Sequence, residues 1–291
     1  MILLTGATGT IGTPLLRRLT ASGEPVRCLV RDPRRLGPER VRVQIALGDL
    51  ANPASFRNAM RGVDTVIHLA GAIRDQPHGS IEELNAMATL RLVRAAEQGG
   101  VRRFLFFSAI GASLHSPARF FRAKALAEQA VSEADLETAV FAPSIVYSPG
   151  DPWMTLLERV SHLPVAPVSG AGDALFQPIW AEDAADCVVA SLEGSNGKTR
   201  YDLAGPQSLS YDGIVATALR AFGRRRRLLH VPLPAVRAGL ALAGAFAGPN
   251  VFATWDEAQL MELSMTTAKG TADAESLGVR PLPMGAVLGA R

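Results

Sequence analysis

The segment Thr5-Gly6-Ala7-Thr8-Gly9-Thr10-Ile11-Gly12 carries a glycine at every third position, directly after the apolar run Ile2-Leu3-Leu4 and before an amphipathic stretch. A glycine-rich turn between a strand and a helix can hold the pyrophosphate of a dinucleotide. Its backbone N–H groups and the positive end of the helix dipole converge on one spot. In this pattern Gly6 permits a tight turn, Gly9 lets backbone approach the phosphates, and Gly12 lets the helix pack closely on the sheet. Thr5, Thr8, Thr10 and Ile11 complete the candidate phosphate-binding set.

A charge pattern bears on which dinucleotide is held. The next strand ends Cys28-Leu29-Val30-Arg31-Asp32, with Arg34 and Arg35 close behind. NAD sites usually place a carboxylate at this tip to accept from the ribose 2′-OH, whereas a guanidinium suits the 2′-phosphate of NADP(H). The preferred cofactor is therefore NADP(H), with Arg31 and Arg34 at its phosphate. The alternative leaves Arg31 in solvent and gives the ribose to Asp32. Asp49, followed by Leu50, is placed to accept from the adenine amino group, or else to cap the next helix. Leu69-Ala70-Gly71 ends another strand with small residues, which lets backbone lie against the cofactor.

Hydrophobic periodicity supplies the scaffold for these residues. Short β-branched runs alternate with helical patterns over the first ~145 residues, as a doubly wound parallel sheet requires. Strands are expected at 2–4, 26–30, 41–46, 63–69, 104–108 and 136–141, and helices at 11–21, 53–62, 81–98 and 119–133. Beyond Pro143 prolines and glycines become frequent and the alternation breaks down. A strand–helix unit is expected over 176–192, a strand over 200–203, and helices joined by proline-rich turns from 205 onward. The expected fold class is α/β: a Rossmann-type doubly wound parallel sheet with a smaller, mainly helical C-terminal substrate lobe. Residues 1–148 plus about 176–204 would form the NADP(H)-binding domain, and 149–175 plus 205–291 the lobe.

The glycine loop, Arg31, Gly48-Asp49-Leu50, His68-Leu69-Ala70-Gly71 and Ser108 together resemble the short-chain dehydrogenase/reductase superfamily. Pro143-Ser144-Ile145-Val146-Tyr147 and the segments at 176–186 and 201–211 are similar to its atypical, extended branch. That branch includes the NmrA-like proteins and the complex I accessory-subunit group. The resemblance implies NADP(H) binding, with Pro143 and Lys124 joining the cofactor set, and either reductase activity or binding without turnover. Superfamily enzymes pair a Ser with a Tyr four residues before a Lys on one helix face, where the phenol moves the proton. Ser108 and Lys124 match, but Phe120 stands where the tyrosine belongs, and a phenyl ring transfers no proton. Lys124 is one of only three lysines, with Lys198 and Lys269, among 30 basic residues, so a compact ammonium is specified there. The substitute proton donors are His115 and Tyr147, each otherwise readable as only a loop residue or a core aromatic.

Trp153, Met154, Phe176 and Trp180, with Phe120, form a candidate pocket for an apolar or aromatic small molecule; packing between two lobes is the competing reading. Asp183 reads as a structural residue tying its loop to the sheet. Arg224 to Arg227, followed by the apolar run 235–246, reads as a solvated basic turn before a buried helix, or as a peripheral contact with an anionic membrane or partner subunit.

A net charge of +3, with no aromatic-interleaved basic stripe, argues against nucleic acid. The five histidines lack ligand spacing, so no metal is expected. Cys28 and Cys187 lie in apolar runs and fit core positions in a reducing compartment. No leader pattern or spanning segment is visible, so a cytoplasmic monomer or homodimer is expected. Three functions remain open: an NADPH-dependent reductase, a non-catalytic NADP(H)-binding sensor or assembly subunit, and, ranked last for want of the tyrosine, a nucleotide-sugar epimerase or dehydratase.

Overall fold

The computed structural model describes residues 1–194, 199–247 and 253–289; Lys198 lies outside them. The first half runs β1 (Ile2–Thr5), α1 (Gly12–Ala21), β2 (Val26–Val30), β3 (Gln44–Leu47), α2 (Pro53–Phe56), β4 (Thr65–His68) and α3 (Ala88–Gln98). It continues with β5 (Arg103–Phe107), α4 (Arg119–Glu133), β6 (Glu137–Pro143), β7 (Val146–Tyr147), α5 (Pro152–Val160) and β8 (Val165–Ser169). Then come β9 (Leu175–Phe176), β10 (Ile179–Trp180), α6 (Ala181–Glu193), β11 (Thr199–Leu203), β12 (Leu209–Ser210) and α7 (Tyr211–Ala221). The chain closes with β13 (Arg227–Val231), α8 (Leu233–Ala247), α9 (Trp255–Leu260), α10 (Ala272–Ser276) and α11 (Met284–Gly289).

Seven strands form one parallel sheet in the order β11-β6-β5-β4-β1-β2-β3, the doubly wound order, with its switch point between β1 and β4. Every residue of β1, β4 and β5 is buried. Helices cover both faces, which is why these strands read as continuous apolar runs. Leu4 and Leu105 pack on one face with Leu15, Leu16 and Cys187, while Leu3, Val66 and Phe104 pack on the other with Leu92 and Val131. A third cluster joins the end of the sheet to the C-terminal segments through Phe121, Tyr147, Phe176, Leu219 and Met284. No described helix is long and apolar enough to cross a membrane.

Four elements depart from the periodicity. The strand expected over 41–46 is β3 at Gln44–Leu47, because Pro33–Val41 winds into 3-10 turns. Asp32 caps those turns at the Arg34 N–H, and Gly37 kinks them at φ 60°. The helix expected over 81–98 contains a π turn at Glu83–Met87. The all-helical C-terminal reading is also corrected: β12 pairs with β9, and β13 pairs in parallel with β8. The arginine run at 224–227 masks the β pattern of Arg227-Leu228-Leu229-His230-Val231.

Asp183 is structural, but its carboxylate accepts from the Leu282 N–H at 2.8 Å, so it ties α6 to the C-terminal segment rather than to the sheet. Gly12 also has a different reason from the expected one. A Cβ there would sit 2.0 Å from the Gly6 carbonyl oxygen, so the loop's own turn, not the sheet, demands glycine. Gly12→Ala is expected to destabilise the protein by about 2 kcal/mol or more and to abolish nucleotide binding. Thermal melting with and without NADPH checks this, and an unchanged melting temperature with full binding would refute it.

Candidate active site

The site forms where the sheet switches direction. Gly6 adopts φ 74°, and a Cβ on it would lie 2.6 Å from the Ala70 nitrogen. The turn after β1 therefore lies directly against the end of β4, with Leu69, Ala70 and Gly71 beside it. Gly9 is exposed at the loop's crest, and its N–H donates to the Gly6 carbonyl at 3.0 Å. The α1 N-terminus has no side-chain cap and no acid in its first turn. Its orphan N–H groups and dipole are left for an anion, the fit a pyrophosphate needs. Thr8, Thr10 and Ile11 are partly exposed around this opening, whereas Thr5 is buried.

Thr5 holds the two strand ends in register. Its hydroxyl meets His68 Nδ1 at 2.7 Å, and His68 Nε2 meets the Thr89 hydroxyl at 3.0 Å. Thr89 in turn donates to the Asn85 carbonyl at 2.5 Å. Within the π turn, Asn85 donates from its side chain to the Ala72 and Ile81 carbonyls at 2.7 and 2.8 Å and accepts from the Ala72 N–H at 3.3 Å. Burial, reinforced by the Lys124 charge, pushes His68 down to about 3, so the ring is neutral at physiological pH.

Lys124, on α4, is buried and donates from Nζ to the Phe107 carbonyl at 2.7 Å. The Cβ position at Gly71 is 3.2 Å from that Nζ, which puts the ammonium at the edge of the loop after β4. Burial pushes Lys124 down to about 8, against a smaller raising effect of Glu128. The Phe106 and Phe120 rings lie 5.0 and 5.7 Å from Nζ, so Phe120 offers a cation–π face where a phenol was absent from the sequence. Ser108, adjacent to Phe107, is buried with a hydroxyl that has no partner. The structure therefore gathers Gly71, Phe107, Phe120 and Lys124, with Ser108 next along the chain from Phe107.

At the β2 end, Arg31 and Arg34 are exposed and pair with no carboxylate among the described residues. The Asp32 carboxylate accepts from the Arg34 N–H at 3.0 Å, which commits it to a turn. Asp49 behaves similarly, accepting from the Ala51 N–H at 3.0 Å, while Asn52 caps α2. Leu50 and Leu69 are half-buried; Pro143 is buried, with its carbonyl accepting from the Ile110 N–H at 2.8 Å.

The expected substrate side divides into two sets. Phe120, Trp153 and Trp180 are partly exposed at the margin of the third cluster. Met154 and Phe176, at 2% and 0% exposure, are core residues of the seam, which corrects their place as pocket lining. Tyr147 is wholly buried in that cluster, and burial raises its hydroxyl pKa, which makes it a weaker acid. Its hydroxyl and the Trp180 indole N–H are nonetheless buried without partners, as Ser108 is. His115 lies exposed on a turn whose N–H is held by the Ser113 hydroxyl, so it is a loop residue.

Asn85 and Arg119 are site residues that periodicity did not reveal. Asn85 had one signal, a polar residue on the inward face of an apolar helix. Arg119, just before Phe120, grips Glu82 with two nitrogens at 2.7 and 2.8 Å and Asp75 at 3.0 Å, and it approaches Asp256 at 3.6 Å. That cluster joins three segments at the lip beside Phe120. No group of His, Cys, Asp and Glu among the described residues could hold a metal ion.

Residues 6–152 match the NAD(P)H-binding family model. The chain is 30% identical over 262 residues to "NADH dehydrogenase (ubiquinone) 1 alpha subcomplex subunit 9, mitochondrial" of Arabidopsis thaliana, covering 85% of this chain and 62% of that protein. It is 28% identical to the ceramide reductase of Caulobacter vibrioides, covering 91% and 86% respectively. A nucleoside-diphosphate-sugar epimerase structure from Staphylococcus aureus shares the fold at TM-score 0.77 and 22% identity, covering 99% of each chain.

The neutral burial of His68 has a pH signature. Its folded pKa of about 3 lies below the ordinary 6.5, so between these values the unfolded chain takes up the proton first. Stability should fall as pH drops from 6.5 toward 3, by up to about 1.4 kcal/mol per pH unit from this group. His68→Gln, which cannot charge, should show a shallower acid limb in melts between pH 7 and 4. Identical slopes for the two proteins would refute the assignment.

Proposed function

Because the chain belongs to the NAD(P)H-binding family, we propose that it is an NADPH-dependent reductase of an apolar or aromatic small molecule, of the atypical short-chain dehydrogenase/reductase type. One observation carries this reading. The buried Lys124 ammonium lies beside Gly71 and bonds the carbonyl of Phe107, whose chain neighbour Ser108 has an unpartnered hydroxyl, across the switch point from an uncapped helix N-terminus. The α1 amides, Thr8, Thr10 and Ile11 would hold the pyrophosphate. Arg31 and Arg34 would take the 2′-phosphate, and Asp49 and Leu50 would border the adenine. Leu69, Ala70, Gly71 and Pro143 would flank the nicotinamide half.

When bound, NADPH supplies a hydride to an electron-poor carbon of the substrate. Lys124 would hold the ribose hydroxyls with the two N–H donors not spent on Phe107, and its positive charge would stabilise negative charge developing nearby. Ser108 would donate to a substrate oxygen. Phe120, Trp153 and Trp180 would exclude water and present apolar surface. With no phenol at position 120, the proton comes from water or the substrate, which suits conjugated acceptors such as enones and quinones. The buried free thiols Cys28 and Cys187 support a reducing compartment, the cytoplasm.

A second reading, a cofactor-binding subunit without turnover, is favoured by Phe120 itself and by the likeness to a subunit of NADH dehydrogenase. The epimerase reading ranks below both, because the likeness in question is one of fold and the tyrosine position is Phe120.

Calorimetry should give NADPH the tighter binding, and Arg31→Ala should weaken NADPH by about tenfold or more, the value of a charged hydrogen bond, with NADH unchanged. Equal affinity for the two nucleotides would overturn the NADP(H) assignment. Phe120→Tyr should add simple ketone reduction to any activity on conjugated acceptors, followed by NADPH absorbance. No NADPH consumption by either protein across a broad acceptor panel would favour the second reading.

A further inference from the structure

Residues 213–255 contain six arginines and no Asp or Glu, where the chain's average would place about four acids. This stretch builds β13 and α8. Arg225 and Arg227 are exposed, while Arg224 and Arg226 bond the Ser161 carbonyl at 3.4 and 3.1 Å, anchoring the basic run to the end of α5. On the β8–β13 ribbon, Val165 (38%) and Leu229 (52%) are exposed beside Arg227.

The helix α8 presents an apolar surface to solvent. Leu233, Val236 and Leu240 turn partly inward, yet Ala235, Ala238, Ala241 and Leu242 face outward, with Leu242 64% exposed. Arg237 is the one charged residue of the helix, with its guanidinium carbon 5.5 Å from the Trp255 ring. A cleft of about 500 Å³ between α8 and Trp255 is walled almost wholly by apolar side chains. A helix on a water-facing surface normally carries a polar outer face. This one does not.

We propose that β13 and α8 form a docking surface for an anionic lipid bilayer, with α8 lying in the interface and the arginines on the headgroups. Charge selects this occupant. A second copy docking through the same face would bring two arginine-rich surfaces together, whose neighbouring acid Asp212 is already paired with His230 at 2.9 Å, whereas an anionic bilayer supplies both the opposite charge and the apolar phase. The surface is coupled to the site: Trp255 opens α9, whose Asp256 and Glu257 approach Arg119 and Arg74 at 3.6 and 3.4 Å, and Arg119 precedes Phe120. Resting on the reductase reading, the substrate class becomes an amphiphile drawn from that bilayer; the docking itself does not depend on turnover.

Co-sedimentation of the full chain, without substrate, tests the docking. Vesicles of phosphatidylcholine containing about a third phosphatidylglycerol should carry the protein down. Pure phosphatidylcholine should bind about tenfold less, and high salt should release the protein. Leu242→Asp and the double variant Arg225→Glu/Arg227→Glu should each lower binding to the anionic vesicles about tenfold, with melting temperature and NADPH affinity unchanged. Failure of the wild type to bind anionic vesicles would overturn the proposal. So would binding indifferent to both variants, or a solution dimer that Leu242→Asp splits. Vesicle binding without NADPH consumption would retain the docking and count against the reductase reading, so the two fail separately.

Discussion

The close approach of two backbone turns, one after β1 and one after β4, is the constraint on which the site depends. Gly6 can touch Ala70 only because it has no side chain and accepts a positive φ. That contact sets where the first helix begins, and therefore where its free amides point. The Thr5–His68–Thr89–Asn85 chain fixes the same approach from beneath with buried hydrogen bonds. Buried polar networks of this kind tolerate little error, since a donor left unpaired away from water is expensive. Placement of the glycine loop and placement of Gly71 are thus one structural fact.

Lys124 shows how the same packing sets chemistry. Its ammonium is buried among Phe106, Phe107 and Phe120, with a carbonyl at one side, so it retains little solvent. An ammonium in such a place is easily discharged, and a phosphate-bearing ligand nearby would favour its charged form. The phenyl ring at 120 carries no acidic proton, while the ammonium beside it keeps its place at the edge of Gly71.

Much of this was legible in the residues, because the relevant signals are local. The glycine spacing, and Lys124 one helical turn after Phe120, need only sequence distance to be read. The parallel sheet was legible for the same reason: β1, β4 and β5 are short apolar runs between helical patterns. Where competing interactions decided the outcome, the reading failed. Pro33, Pro38 and the Asp32 cap displaced β3, an arginine run concealed β13, and Met154 and Phe176 look like pocket residues until a core closes over them. Asn85 and Arg119 act on partners remote in sequence, Ala72, Asp75 and Asp256 among them, and no periodicity announces such contacts.

The π turn at Glu83–Met87 holds one more residue than a regular helical turn would. Loss of any single residue from it would let the helix run straight, but everything upstream would swing by about 100° around the axis. Ile81 and the segment before it would then be out of phase with the Ala72 backbone that Asn85 clasps. The helix therefore cannot be tidied into ideal geometry by a one-residue deletion unless the 69–72 turn is rebuilt with it, so the irregularity and the turn are bound to change together or not at all.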